Sequence, residues 1–352
     1  MRWTKVGLIG AGILSVAAIA GAVAYLRSVD AFAPYPPPTS HACLRLDLAG
    51  SASFIALDPD RGLAYLSLLD RASPGEATGS VQLLDLNRPE PAPRAAMNFD
   101  PGSFRPGALS LLRIEGAPRR LFAASRLPDG AQTVEIAAEV PTGGFAPETT
   151  VRDPAFRNLT AIAAIGPRQF YFADLAAAES RYGLPGRFDA LLHRAPATLL
   201  YYDGRVARPI VSDLRYVGGL ARSPDGKLLY VAETLAKSMR IYELRAGGAV
   251  MLRGTIPLGG LPANLTVDAE GVVWIAVFPK LSDLLAHADD PAKRAITRVI
   301  RFDPRLPTGE VAQIYANDGD ALSAGSAAAR WRDQLIVGGL FDRRVLVCKL
   351  KP

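Results

Sequence analysis

One phrase recurs along this chain: an apolar strand, a tight Asp/Gly turn, a second apolar strand, a loop and a third strand. Its clearest copy reads Leu220-Ala-Arg-Ser-Pro-Asp-Gly-Lys-Leu-Leu-Tyr230-Val-Ala and resumes at Met239-Arg-Ile-Tyr-Glu-Leu244. Asp225-Gly226 between apolar runs is a hairpin signal, because glycine supplies the positive φ that such turns need. The phrase returns at Leu57–Ser67 with Val81–Leu86, and at Leu265–Ala276 with Arg298–Phe302. Weaker copies cover Leu109–Val140, Leu159–Tyr202 and Ala321–Leu350. Six copies starting roughly 45 to 60 residues apart have the spacing of propeller blades. Such a unit cannot bury its faces alone, so it stacks on its neighbours and the array closes into a ring. The predicted fold is all-β, a six-bladed β-propeller over residues 43–352.

Composition supports a folded ring. Apolar residues make up 49 % of the 352 and charged residues 21 %, which excludes a disordered chain. A mean hydropathy of +0.14 excludes a polytopic membrane protein. The charge of +6 arises from 40 basic against 34 acidic residues, scattered without a Lys/Arg block, so no nucleic-acid partner is expected.

Before the ring, Arg2 and Lys5 precede Val6–Leu26, a run of about 21 uncharged residues, long enough as a helix to cross a bilayer core. Residues 1–27 are read as a signal anchor or signal peptide. The leading positive charges place the remainder outside the cytoplasm, periplasmic or at the cell surface. Cleavage after Ala22-Val23-Ala24 is the alternative to a retained anchor and would yield a secreted protein. Residues 28–42 form a Pro-rich linker in which Pro34-Tyr-Pro-Pro-Pro38 acts as a stiff spacer off the bilayer.

Cys43 and Cys348 are the two cysteines, one at each end of the exported part. In an oxidising compartment they invite one bridge, the alternative being two unrelated buried thiols. Two stretches break the strand pattern and read as helical inserts, near 174–194 and 280–293, placed as lids over one mouth of the ring. His193 and His287 are assigned to polar faces of these inserts. Trp274 and Trp331 sit in strand phrases and are expected in the core.

Several segments together resemble the paraoxonase/arylesterase family of six-bladed, calcium-dependent lactonases and aryl esterases. They are Gly62-Leu-Ala-Tyr-Leu-Ser67, Phe104-Arg-Pro106, Gly166-Pro-Arg-Gln-Phe-Tyr171, Ser223–Lys227 with Tyr230-Val-Ala-Glu233, and Val311–Gly319. The resemblance runs from Cys43 to Leu350. It implies a terminal disulfide clasping the ring and a calcium ion at the tunnel floor that polarises the substrate carbonyl. It also implies a histidine pair that activates water.

The residues at the matching positions depart from that pattern. The family's first carboxylate pair falls on Ala52-Ser53, its Asn-Asp on Thr160-Ala161, and its next Asn on Gly218. Its Asp-Asn falls on Ala263-Asn264, where Asn264 alone survives. The first histidine becomes Gly107, and the second lands near Arg126. Tunnel-floor candidates are therefore Ser53, Gly107, Arg126, Thr160, Gly218 and Asn264. A neutral amide with two hydroxyls cannot repay the dehydration of Ca²⁺, whose affinity tracks the count of charged ligands. No confident metal site or cofactor follows. The small residues predict a widened floor, and Arg126, if not a blade-edge arginine, suits an anionic or carbonyl-bearing ligand.

Two functions stay open. One is an arylesterase-like propeller with calcium hydrolysis absent or strongly reduced, binding a small molecule in its tunnel. The other is an active ester or lactone hydrolase with a rearranged site, using Asp174 or Glu233 as base. Against the second, Asp174 is read as a helix cap and Glu233 as the partner of a nearby Lys or Arg.

Overall fold

The structure, a computed structural model, describes residues 2–70, 79–97, 99, 104–141, 144–175, 196–306 and 309–351, with the backbone alone for 2–14. Six four-stranded antiparallel sheets form the blades of a propeller. Their inner strands are Ser51–Asp58, Pro106–Leu112, Leu159–Ala164, Val217–Arg222, Leu261–Val267 and Gly325–Trp331, for blades one to six. Consecutive inner strands touch, and the sixth touches the first, so the ring is closed.

Blade six is completed by the chain's first strand. Ala42–Asp47 pairs antiparallel with Arg344–Lys349, and Cys43 stands directly opposite Cys348. The two are joined by a disulfide. In the chain-entropy model a loop of this length contributes about 5 to 6 kcal/mol, an upper figure for so long a loop.

The core lies between the blades. Tyr171, Tyr230, Phe122, Phe170 and Phe172 are essentially inaccessible, and burying a large apolar side chain stabilises by about 1.5–3 kcal/mol. Trp274 and Trp331 are buried as expected. The indole of Trp331 donates to Pro59 O at 3.0 Å, tying blade six to the first turn of blade one. At that turn Gly62 has φ +67°, and a Cβ there would lie 2.5 Å from the Trp331 ring. Only glycine fits on both counts.

Helix α1 (Arg2–Ser28) precedes the ring. Among the described residues no helix is long and apolar enough to cross a membrane. The expected span begins at Val6, and its first part lies outside the described side chains. The linker is docked on the ring. Val29 is buried against the ring, its carbonyl accepts Ser282 N at 2.9 Å, and Asp30 pairs with Lys237. Lys280 stands over the Tyr35 ring at 3.6 Å. Gln313 Nε2 donates to Pro37 O at 2.9 Å, and Thr39 exchanges backbone and side-chain bonds with Ala316. Residues 29–41 thus lie along blades four and five, because the carbonyls and side chains between the prolines find partners there.

The insert over 280–293 contains α2 (Leu281–Asp289). It leaves from Phe278, which pairs with Leu261 at the start of an inner strand. His287 corrects its assignment to a polar face. It is 2 % exposed, its Nδ1 lies 2.6 Å from Lys293 O, and its ring meets Phe341 edge-on. The first insert is described only at Asp174 and Leu175, which end the strand Phe170–Leu175. The remainder, with His193, lies outside the described residues.

Candidate functional site

Every inner strand is irregular near its beginning. The ladder to the second strand shifts register between Ala52 and Phe54, Pro106 and Leu109, and Leu159 and Ala161. It does so again between Val217 and Gly219, Pro262 and Leu265, and Gly325 and Ala327. A bulge frees a residue from pairing and re-aims it. One ring at the same level of all six blades therefore holds Ser53, Gly107 with Ala108, Thr160, Gly218, Ala263 with Asn264, and Ser326. Five positions singled out in the sequence fall in this ring. The sixth, Ser326, was missed, although it follows Gly325 just as Gly218 follows Val217.

The ring is neutral and its polar groups are engaged. Ser53, Thr160, Asn264 and Ser326 are all buried. Asn264 Oδ1 accepts Leu265 N at 2.8 Å, Ser326 Oγ donates to Ser53 O at 3.4 Å, and Thr160 Oγ1 to Ala173 O at 3.4 Å. Gly107 faces open space, since a Cβ there would meet only Ala124 O at 3.7 Å. Gly218 does not widen the floor as expected. A Cβ on it would stand 2.6 Å from Thr234 Oγ1 of its own blade and 3.1 Å from Ala263 Cα of the next, so the place is already filled. Arg126 is not in the ring. It ends the strand Arg120–Arg126 one residue beyond Ser125, the partner of Pro106, and its N–H donates to Arg105 O at 3.2 Å.

Two carboxylates end second strands beside the ring, and both are structural anchors. Asp174 is fully buried. It lies in the strand Phe170–Leu175 and accepts Arg157 N at 3.1 Å and Asn158 N at 2.6 Å, while the helix it was read to cap lies outside the described residues. The Arg157 guanidinium adds bonds at 3.0 and 2.8 Å. Glu233 is the partner of an arginine, as expected: it pairs with Arg240 and accepts Arg215 N at 3.0 Å. Each carboxylate pins the chain entering an inner strand to the second strand of its blade.

The other mouth, at the far ends of the inner strands, opens into a cavity of about 1130 Å³. Its lining mixes apolar and polar residues and its rim is charged. Arg119 and Arg61 meet the buried Asp58, Arg113 meets Asp60 at 2.8 Å, and Arg61 also meets Glu139. Burial first, then the nearby Asp58 and Glu139, pushes the Tyr65 phenol behind this rim up to about 12. No signal in the sequence marked this mouth, because its charges come from turns of different blades.

The family model for arylesterases matches residues 50–350. The chain belongs to the arylesterase family. Relatives within this arylesterase group include human serum paraoxonase/arylesterase 1, 26 % identical over 282 residues and 77 % of each chain. Human serum paraoxonase/lactonase 3 is 27 % identical over 332 residues and 90 % of each. Similar solved structures include a putative gluconolactonase, with TM-score 0.53 and 16 % identity over 92 % of this chain and 96 % of that one. A luciferin-regenerating enzyme matches with TM-score 0.52 and 15 % identity over 88 % and 95 %. These structural likenesses establish the shared propeller fold.

The calcium ion that arylesterases imply does not fit this ring. Asn264 Oδ1 is already bonded to a backbone N–H, and the space of a side chain on Gly218 is taken by Thr234. Asp174 and Glu233 are committed to arginines and backbone. Among the described residues no group of three or more His, Cys, Asp or Glu could hold a metal. A hard divalent cation needs carboxylate oxygens free to turn toward it.

Proposed function

We propose that this protein is an extracytoplasmic, membrane-tethered arylesterase-family propeller in which calcium-dependent ester or lactone hydrolysis is absent or strongly reduced. Its tunnel binds a carbonyl-bearing small molecule above the bulge ring, where Arg126 supplies positive charge. The observation carrying this reading is the uncharged ring itself: five of its positions match sites where the family places ligands or a histidine, and none bears a carboxylate or imidazole. The engagement of Asp174 and Glu233 argues against a rearranged site using either as base. Tethering is supported by the uncharged run behind Arg2 and Lys5 and by Val16 and Ile19 standing 68 % and 65 % exposed on α1. The disulfide supports an oxidising location.

The test is a thermal-shift titration of the full chain in detergent with Ca²⁺ and with EDTA, beside turnover assays on phenyl esters and lactones. The expected result is a melting temperature indifferent to both additions and no chelator-sensitive turnover. Stabilisation by calcium, or hydrolysis abolished by EDTA, overturns the reading.

A further inference from the structure

The two sides of the lower cavity differ in charge matching. On blades one and two each rim arginine faces a carboxylate: Arg119 and Arg61 share Asp58, and Arg113 holds Asp60. Across the channel Arg222 ends the inner strand of blade four, and its guanidinium donates to Ile165 O at 3.3 Å. Among the described residues it forms no ion pair. Asp225, the acid nearest in sequence, is held in its own turn by Ser223 Oγ and by Lys227 N at 3.1 Å. Both Arg222 and Arg113 line the cavity, and they act on each other through space. Arg222 feels Asp225 only through space and makes no direct ion pair among the described residues, so two cations facing one cavity favour an anion between them.

We propose that this mouth binds an organic anion with an apolar body, its acid group seated between Arg222 and Arg113. Ile55, Leu57, Leu109, Leu220, Leu265 and Val267 supply the apolar wall. The volume is ample for a drug-sized ligand, which needs roughly 300–1,000 Å³. Arg113 uses one nitrogen on Asp60 and keeps further donors, since a guanidinium carries five N–H groups. Arg222 likewise has donors left after Ile165, in a planar fork that matches a carboxylate. Burial first, and then Arg113, pushes the Arg222 guanidinium below its usual range. An anion seated there would relieve that repulsion.

This site lies at the end of the channel opposite the bulge ring, so calcium-dependent turnover at the ring would leave it intact, and its failure would leave the ring's chemistry undecided. The test is calorimetric titration of the full chain in detergent with 1-naphthoate, with the neutral isostere 1-naphthamide as control. Saturable binding of naphthoate is expected, at least about tenfold tighter than naphthamide, in keeping with charge-assisted hydrogen bonds. Arg222→Gln should weaken naphthoate by about tenfold or more, and Arg222→Lys, which keeps charge but loses the fork, by less. Arg301→Gln, at an exposed arginine outside the cavity lining, should leave naphthoate binding unchanged. Circular dichroism and melting temperature establish that each variant is folded. Equal binding of acid and amide, an Arg222→Gln variant of unchanged affinity, or an equal loss on Arg301→Gln overturns the proposal.

Discussion

Thr234 and Pro262 are joined across the seam between blades four and five: the threonine hydroxyl donates to the proline carbonyl at 2.6 Å, in the space that a side chain on Gly218 would need. Gly218→Asn should therefore cost about 2 kcal/mol through overpacking. Thr234→Ala alone should cost about 1 kcal/mol for the lost bond. The double variant should lose less than the sum, because the alanine vacates the contested space. Urea unfolding of the three variants measures the coupling, and simple additivity would contradict the steric account.

Removing the clasp should loosen one blade first. Cys43→Ala with Cys348→Ala is expected to lower stability by about 2–5 kcal/mol. Amide exchange should accelerate first in Ala42–Asp47, the strand that only blade six holds. Uniform acceleration around the ring would show that the bridge does not act locally.

Asp174 behaves as a structural anchor. Asp174→Ala deletes an acceptor serving two backbone N–H groups and a guanidinium, and should cost about 3 kcal/mol, as expected for bonds to a buried charged group. Arg157→Ala, at a side chain 55 % exposed, should cost no more than about 1 kcal/mol. A melting temperature unmoved by Asp174→Ala would return the carboxylate to consideration as a base.

Alkaline unfolding should be steep. Burial holds the phenols of Tyr65, Tyr171 and Tyr230 up to about 12, whereas an unfolded chain releases such protons near 10, about the ordinary tyrosine value. Between these values the unfolded state binds fewer protons, so stability falls as pH rises. Tyrosinate absorbance should show a late-titrating fraction that disappears in denaturant. A single ordinary titration in the folded protein would refute this.

What could be read in the sequence was what repeats within a blade. The Asp/Gly turns and alternating apolar runs located all six sheets, and five of the positions matched to the resembled family's pattern lie at bulges. Ser326 escaped because no position of the resembled family's pattern fell on its blade. The filling of Gly218 by Thr234 was not visible, since that contact joins residues with no shared periodicity. Burial of His287 depends on Lys293 and Phe341, one within the insert and one in another blade. The pairing of linker residues with blades four and five, and the facing of Arg222 and Arg113, likewise follow only from closing the ring.

The strand synthesised first is used last. Ala42–Asp47 finds its place only beside Arg344–Lys349, so a growing chain carries an unsatisfied edge at its head until almost its final residues have emerged. Circularisation then comes as a single late event that no earlier blade can anticipate. A truncation before Arg344 would leave that leading segment without a mate and blade six without its two outer strands.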